Sequence, residues 1–172
     1  VCKGFNDLET INPTVAKLWH PTKNKNITPS DVTISCGKSF WWYLQHFDEK
    51  TQRIFDFEWQ ATVDMMTKTN GSCPFLTNRM IYIGYNDLAT THPHLAKEWH
   101  PTKNKSLTPV NVHSGVSQVV WWHLPYDDPV TGEHFDFEWK TTVNNRTLNG
   151  CGCPQLIEWR TEKLIRSILT EL

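Results

Sequence analysis

Lysines set two residues apart in a polar loop, Lys23-Asn24-Lys25 and Lys103-Asn104-Lys105, are the residues in this chain best suited to chemistry with a partner. Ammonium groups at that spacing attract phosphates regardless of base sequence. A partly exposed tryptophan from each Trp-Trp pair, taken as Trp42 and Trp122, would add a surface on which a base can stack. Arg146, near the end of the second copy, completes the expected nucleic-acid set. Two carboxylates on one strand face, Asp56 with Glu58 and Asp136 with Glu138, have the arrangement acid/base catalysis uses. Alternation with Phe55, Phe57 and Trp59 explains them as the wet face of an amphipathic strand, and pairing of Glu58 or Glu138 with a loop lysine is the other expectation. His20 and His100, between Trp and Pro at a helix end, read as caps for carbonyls. A nucleophilic pair of Cys73 and His20 has no third residue to orient it. The chain is therefore expected to bind and not to catalyse.

Most of these residues occur twice because the sequence repeats itself without insertion or deletion, 80 positions apart. Trp19-His20-Pro21-Thr22-Lys23-Asn24-Lys25 returns as 99–105, Trp41-Trp42 as Trp121-Trp122, Phe55-Asp56-Phe57-Glu58-Trp59 as 135–139, and Cys73-Pro74 as Cys153-Pro154. The folding unit is a module, and arrays of modules bind or scaffold more often than they catalyse. The expected boundaries are 1–79 and 80–157 for the copies, with 158–172 as a C-terminal helix or the start of a further domain.

Within a copy, Pro13 to Trp19 and Pro93 to Trp99 predict a helix of about two turns, stopped before Pro21 or Pro101. Lys38 to Leu44 and Gln118 to Leu124 are rich in aromatic and β-branched residues and predict a strand. After a loop of about ten residues, Phe55 to Val63 and its twin predict a second strand, antiparallel to the first. Asn70-Gly71 and Asn149-Gly150 turn the chain into Cys-Pro. Leu164, Ile165, Ile168, Leu169 and Leu172 lie at helical spacing, with Thr161 placed to cap the helix and its apolar stripe free to pack on the preceding module.

Composition limits the alternatives. A formal charge of −1 lacks the basic excess of a strong nucleic-acid binder, so binding must come from a local patch. No apolar run reaches the 18 residues of a membrane span, and Val-Cys-Lys-Gly-Phe-Asn does not read as a signal peptide, so an intracellular, cytoplasmic location is expected. Five cysteines, of which only Cys73 and Cys153 repeat, imply no disulfide framework. Units of this size rarely hold together on an ordinary core alone, and nine tryptophans supply the apolar bulk.

The pattern Asn-Asp-Leu, Trp-His-Pro-Thr-Lys-Asn, Trp-Trp, Glu-Trp and Cys-Pro, twice over, resembles the zinc-ribbon, treble-clef-like tandem repeats of bacterial and mobile-element proteins. The resemblance implies an α+β fold of two small modules and a four-thiolate zinc site in each. It also implies nucleic acid, DNA before RNA, as the partner. Such modules are often joined to nuclease domains similar to very-short-patch-repair endonucleases, and Arg160-Thr161-Glu162-Lys163-Leu164-Ile165 is similar to the opening helix of those domains. Here the ligands depart from the pattern. Leu44 and Leu124 replace the first Cys, Leu76 and Leu156 the last, Phe57-Glu58-Trp59 and Phe137-Glu138-Trp139 have no Cys ahead of them, and Cys73 or Cys153 alone remains. A structural zinc needs four such ligands. The expectation is a pair of metal-free, cofactor-free modules whose leucines and phenylalanines replace the metal, helped by packing between neighbours. The rival expectation is a protein-interaction or structural repeat with no affinity for nucleic acid.

Overall fold

Asp7 and Asp87 begin the two copies in the same way. Each carboxylate accepts from the backbone of the residue three further on (Thr10 N 3.0 Å, Thr90 N 2.9 Å) and from a glycine N–H behind it (Gly4 and Gly84, both 2.6 Å). Both glycines have positive φ, which brings their N–H groups round to the aspartate. This is side-chain capping of a helix start, and it nucleates helices the sequence pattern did not suggest: α1 (Leu8–Ile11) in the first copy and, with its twin named below, in the second.

The computed structural model describes residues 1–170. They form two units, Val1–Met80 and the described residues from Ile81 onward. The first contains α1, α2 (Pro13–Ala16), a 3-10 turn at Pro29–Asp31, β1 (Ser39–Asp48), β2 (Arg53–Thr62) and α3 (Val63–Lys68). The second contains α4 (Leu88–Thr91), α5 (Pro93–Ala96), β3 (Val119–Asp127), β4 (His134–Thr142), α6 (Val143–Thr147) and α7 (Pro154–Thr170). The expected α+β class holds for both.

The expected two-turn helix is a single turn, because Asn12 and His92 break α1 from α2 and α4 from α5 and the chain leaves helical geometry after Lys17 and Lys97. The predicted hairpins form, longer than anticipated. Trp42 pairs with Trp59 and Trp122 with Trp139, and pairing runs on to Asp48–Arg53 and Asp127–His134, which shortens the connecting loops. The second strand stops one residue early. Thr62 and Thr142 accept from the backbone N–H three residues on, so Val63 and Val143 start helices and do not extend strands.

In the first unit the inner hairpin face buries Trp42 and Phe57 completely, with Leu8, Val15 and Val63 from the helices. The indole N–H of Trp42 donates to the carbonyl of Ala61 at 2.9 Å, so the ring is buried with no polar group stranded. The second unit repeats this with Trp122, whose N–H donates to Thr141 at 3.2 Å, within a core of Leu88, Leu95, Trp99, Val112, Trp139 and Val143.

The C-terminal helix starts at Pro154, earlier than expected, and Thr161 lies inside it with its hydroxyl returned to the Ile157 carbonyl at 2.8 Å. α7 packs on its own unit through Trp159, whose ring lies 5.3 Å from Phe135 and 5.7 Å from Tyr126. Lys163 pairs with buried Asp128 and, with Thr131, holds that carboxyl down to about 2. Ile157, Leu164, Ile165 and Leu169 stay exposed. Leu172 and the side chain of Ile168 lie outside the described residues. No described helix is long and apolar enough to cross a membrane.

Candidate nucleic-acid interface

The Pro-Thr-Lys-Asn-Lys loop is tied to the edge of β1 by Asn24. Its side-chain oxygen accepts from Trp41 N at 2.8 Å and its amide donates to Trp41 O at 2.8 Å. Asparagine carries both a donor and an acceptor, so one side chain satisfies both polar groups of an edge-strand residue, which an ionised aspartate could not. Asn104 does the same for Trp121, at 2.7 and 2.8 Å. Both asparagines are buried, so they hold the loop in place and are not available to a ligand, contrary to expectation.

His20 fixes the loop from the other side. Its Nδ1 accepts from the backbone N–H groups of Thr22 and Lys23, both at 3.1 Å, so Nε2 carries the proton and donates to Glu58 at 3.0 Å. The expected capping of carbonyls is thus replaced by capping of N–H groups. Lys23 pairs with the other oxygen of Glu58, and these two partners, Lys23 first, hold the Glu58 carboxyl below its ordinary range. His100, Lys103 and Glu138 repeat the arrangement, with a His100–Glu138 distance of 2.8 Å and Glu138 likewise held low by Lys103 and then His100. The expected pairing of these glutamates with loop lysines is present in both units.

Lys25 and Lys105 are the exposed cations of the loop, in left-handed backbone with φ of 56° and 54°. Neither makes an ion pair among the described residues. That backbone region is costly for a residue with a Cβ and persists where the surroundings enforce it, as the Asn24 and His20 ties do here. Lys23 and Lys103 are half-exposed and lie over the rings of Trp41 and Trp121, at 4.5 and 4.6 Å from their centroids.

Three expected contacts are corrected. Trp42 and Trp122 are 0% exposed and cannot stack on a base; their neighbours Trp41 and Trp121 present the partly exposed rings. The reason is register. Cross-strand partners share a face, and Trp42 and Trp122 pair with buried Trp59 and Trp139, so the preceding residue turns outward. Arg146 is also internal: its side chain is 5% exposed, paired with Glu98 and set over Trp122 and Trp139 at 5.0 and 5.1 Å. The residue that sequence reasoning missed is Lys140, partner of Trp121 in the ladder and 4.6 Å from the centroid of its ring.

Where the resemblance implies a zinc site, the donor set does not fit zinc. Among the described residues no three His, Cys, Asp or Glu side chains converge to hold an ion. In the first unit rings fill the region: Phe57 lies 5.2 Å from Phe75 and 6.0 Å from Phe55, and His46 stacks on Phe57 at 5.9 Å. Cys73 is buried, and burial pushes its thiol up, away from the thiolate a metal requires. In the second unit Cys153 belongs to the apolar core, with Leu124, Phe137 and Leu156 packed against it. The expected role of the leucines holds only in part, since Leu76 is 41% exposed and Leu44 is half-buried, leaving Phe55, Phe57 and Phe75 as the apolar filling of the first unit.

Two small α+β modules in tandem, each a side-chain-tied loop on a hairpin followed by a short helix and a Cys-Pro dipeptide that turns the chain in the first copy and opens α7 in the second, define a treble-clef-like array. The profile of the family described as Probable Treble clef zinc finger domain matches twice, over residues 15–75 and 95–155, and the chain belongs to that family. Domains of that class bind nucleic acid or protein. No curated protein matches the chain.

Proposed function

We propose that the chain is a non-catalytic nucleic-acid-binding array that contacts the backbone of DNA through the loop-and-tryptophan face of each hairpin and serves as the targeting part of a larger nuclease-like protein. The observation that supports this best is the rigid lysine loop built twice. In each copy an exposed lysine in constrained backbone, Lys25 or Lys105, stands beside a half-exposed tryptophan carrying a second lysine. Fixing the loop in advance removes ordering cost from binding. The paired carboxylates offer nothing to catalysis in this reading, because Glu58 and Glu138 are engaged with His and Lys, and Asp136 with His123 at 2.9 Å.

The test is a titration of duplex DNA of mixed sequence at several salt concentrations. Replacing Lys23, Lys25, Lys103 and Lys105 together by alanine is expected to weaken binding at least tenfold at about 0.1 M salt and to lower the salt slope by about 2, the share of Lys25 and Lys105, which no carboxylate offsets among the described residues. Absence of any affinity for DNA or RNA in the wild-type chain at about 0.05 M salt would remove the proposal. A protein partner is the second reading. It is favoured by an apolar groove of about 280 Å³ in the first unit, lined by Trp59, Ala61, Met65, Met66, Pro74 and Met80, since methionine-lined grooves adapt to apolar side chains of a partner.

A further inference from the structure

The two copies do not present the same charge beside the exposed tryptophan. In the second unit Lys103, Lys105 and Lys140 line one groove of about 280 Å³ with Trp121 at its side and Gln118 on its rim. The ammonium groups of Lys103 and Lys140 each lie 4.6 Å from the centroid of the Trp121 ring. Two like charges gathered on one ring repel each other, and the ring quadrupole offsets only part of that. Glu138 neutralises Lys103. Lys140 and Lys105 have no carboxylate partner among the described residues, and an anion seated in the groove would supply one.

In the first unit the ladder partner of Trp41 is Gln60. Lys23, the lysine over the Trp41 ring, is paired with Glu58, and Lys38, the counterpart of Gln118, lines a separate groove beside Asp31 and Ile27, so among the described residues Trp41 carries no uncompensated cation where Trp121 carries Lys140. Gln60 borders the apolar groove beside Trp59 instead.

We infer that the groove formed by Lys103, Lys105 and Lys140 on Trp121 is the principal phosphate-binding site of the chain, so that the second repeat grips a phosphodiester and the first makes a weaker, secondary contact. This rests on the nucleic-acid reading above and adds to it a particular ligand group and an asymmetry between copies. A phosphodiester fits because it is compact and anionic, and the cluster, with only Lys103 offset by a carboxylate, keeps two lysines to meet the phosphates of a strand. The loop ties through Asn104 and His100 keep Lys105 and Lys103 in place before the anion arrives.

The experiment exchanges the differing residue between copies in the full chain. Lys140→Gln gives the second unit the residue of the first, and Gln60→Lys does the converse; both positions are exposed, so folding is spared. In titrations of a duplex of about twenty base pairs of mixed sequence, Lys140→Gln should weaken binding about five- to tenfold at roughly 0.1 M salt and reduce the salt slope by about 0.9. Gln60→Lys should strengthen binding by a similar factor. Lys97→Gln, the same change of net charge at an exposed residue outside the groove, should leave both quantities unchanged. Equal losses for Lys97→Gln and Lys140→Gln would overturn the inference, because net charge alone would then govern binding. Wild-type binding with both exchanges silent would overturn it while leaving the nucleic-acid reading intact, whereas a wild-type chain that ignores DNA removes that reading itself. Displacement of DNA by polyglutamate at equal charge concentration would assign the groove to acidic polypeptide and also overturn it.

Discussion

Met66 and Arg146 occupy the same place in the two repeats, both buried, and carry opposite chemistry; Arg146 lies against the paired tryptophans of its hairpin. The residue at the matching helix end changes with them: Leu18 in the first unit, Glu98 in the second, where it pairs with Arg146. At these two positions the first copy carries apolar side chains and the second an ion pair. The frame accepts either because both members change together, so no charge is left alone in the core. At the surface the exchange of Gln60 for Lys140 brings no carboxylate with it, and the cation stands unpaired over Trp121. This interior difference between the copies is thus matched, while Lys140 at the surface is free to serve a ligand.

The largest expected effect lies where the aromatic filling differs. Phe57 is fully buried and Phe137 half-buried. Phe57→Ala should destabilise the first unit by about 3–5 kcal/mol. Phe137→Ala should cost the second about 2 kcal/mol, as less area is withdrawn from water. Hydrogen exchange of the β1–β2 and β3–β4 amides under mild denaturant separates the two; equal losses would mean that the rings do not carry the difference. The Glu98–Arg146 pair comes next. Arg146→Met alone strands Glu98, which is 23% exposed and so partly solvated, and should cost about 2–3 kcal/mol in chemical denaturation of the second unit. Adding Glu98→Leu recreates the pair of the first unit and should recover all but about 1 kcal/mol. A double variant no better than the single one would show that the two pairs are not interchangeable.

Much of this was legible in the repeat. The hairpins, the Cys-Pro turn, the α+β class and the ties between loop lysines and strand glutamates follow from alternation and turn chemistry that appear twice. Trp42 was misplaced because two adjacent tryptophans look alike until the register is known; pairing with Trp59 then decides which one faces inward. Arg146 reads as a surface cation because its partner Glu98 is 48 positions away and only the fold joins them. The helices α3 and α6 were hidden by Val63 and Val143, whose β-branched side chains suggest strand, while the caps at Thr62 and Thr142 prevail. α1 and α4 are single turns, too short to leave a periodic trace, and depend on the Asp7 and Asp87 caps.

Metal content measured on the purified chain, with thermal unfolding repeated in excess chelator, tests most directly whether packed rings and aliphatic side chains stand where relatives place zinc. Aromatic closure predicts far less than about one zinc per unit and a Tm that the chelator leaves unmoved. About one tightly held zinc per unit, with a Tm that falls by many degrees when it is removed, would contradict it.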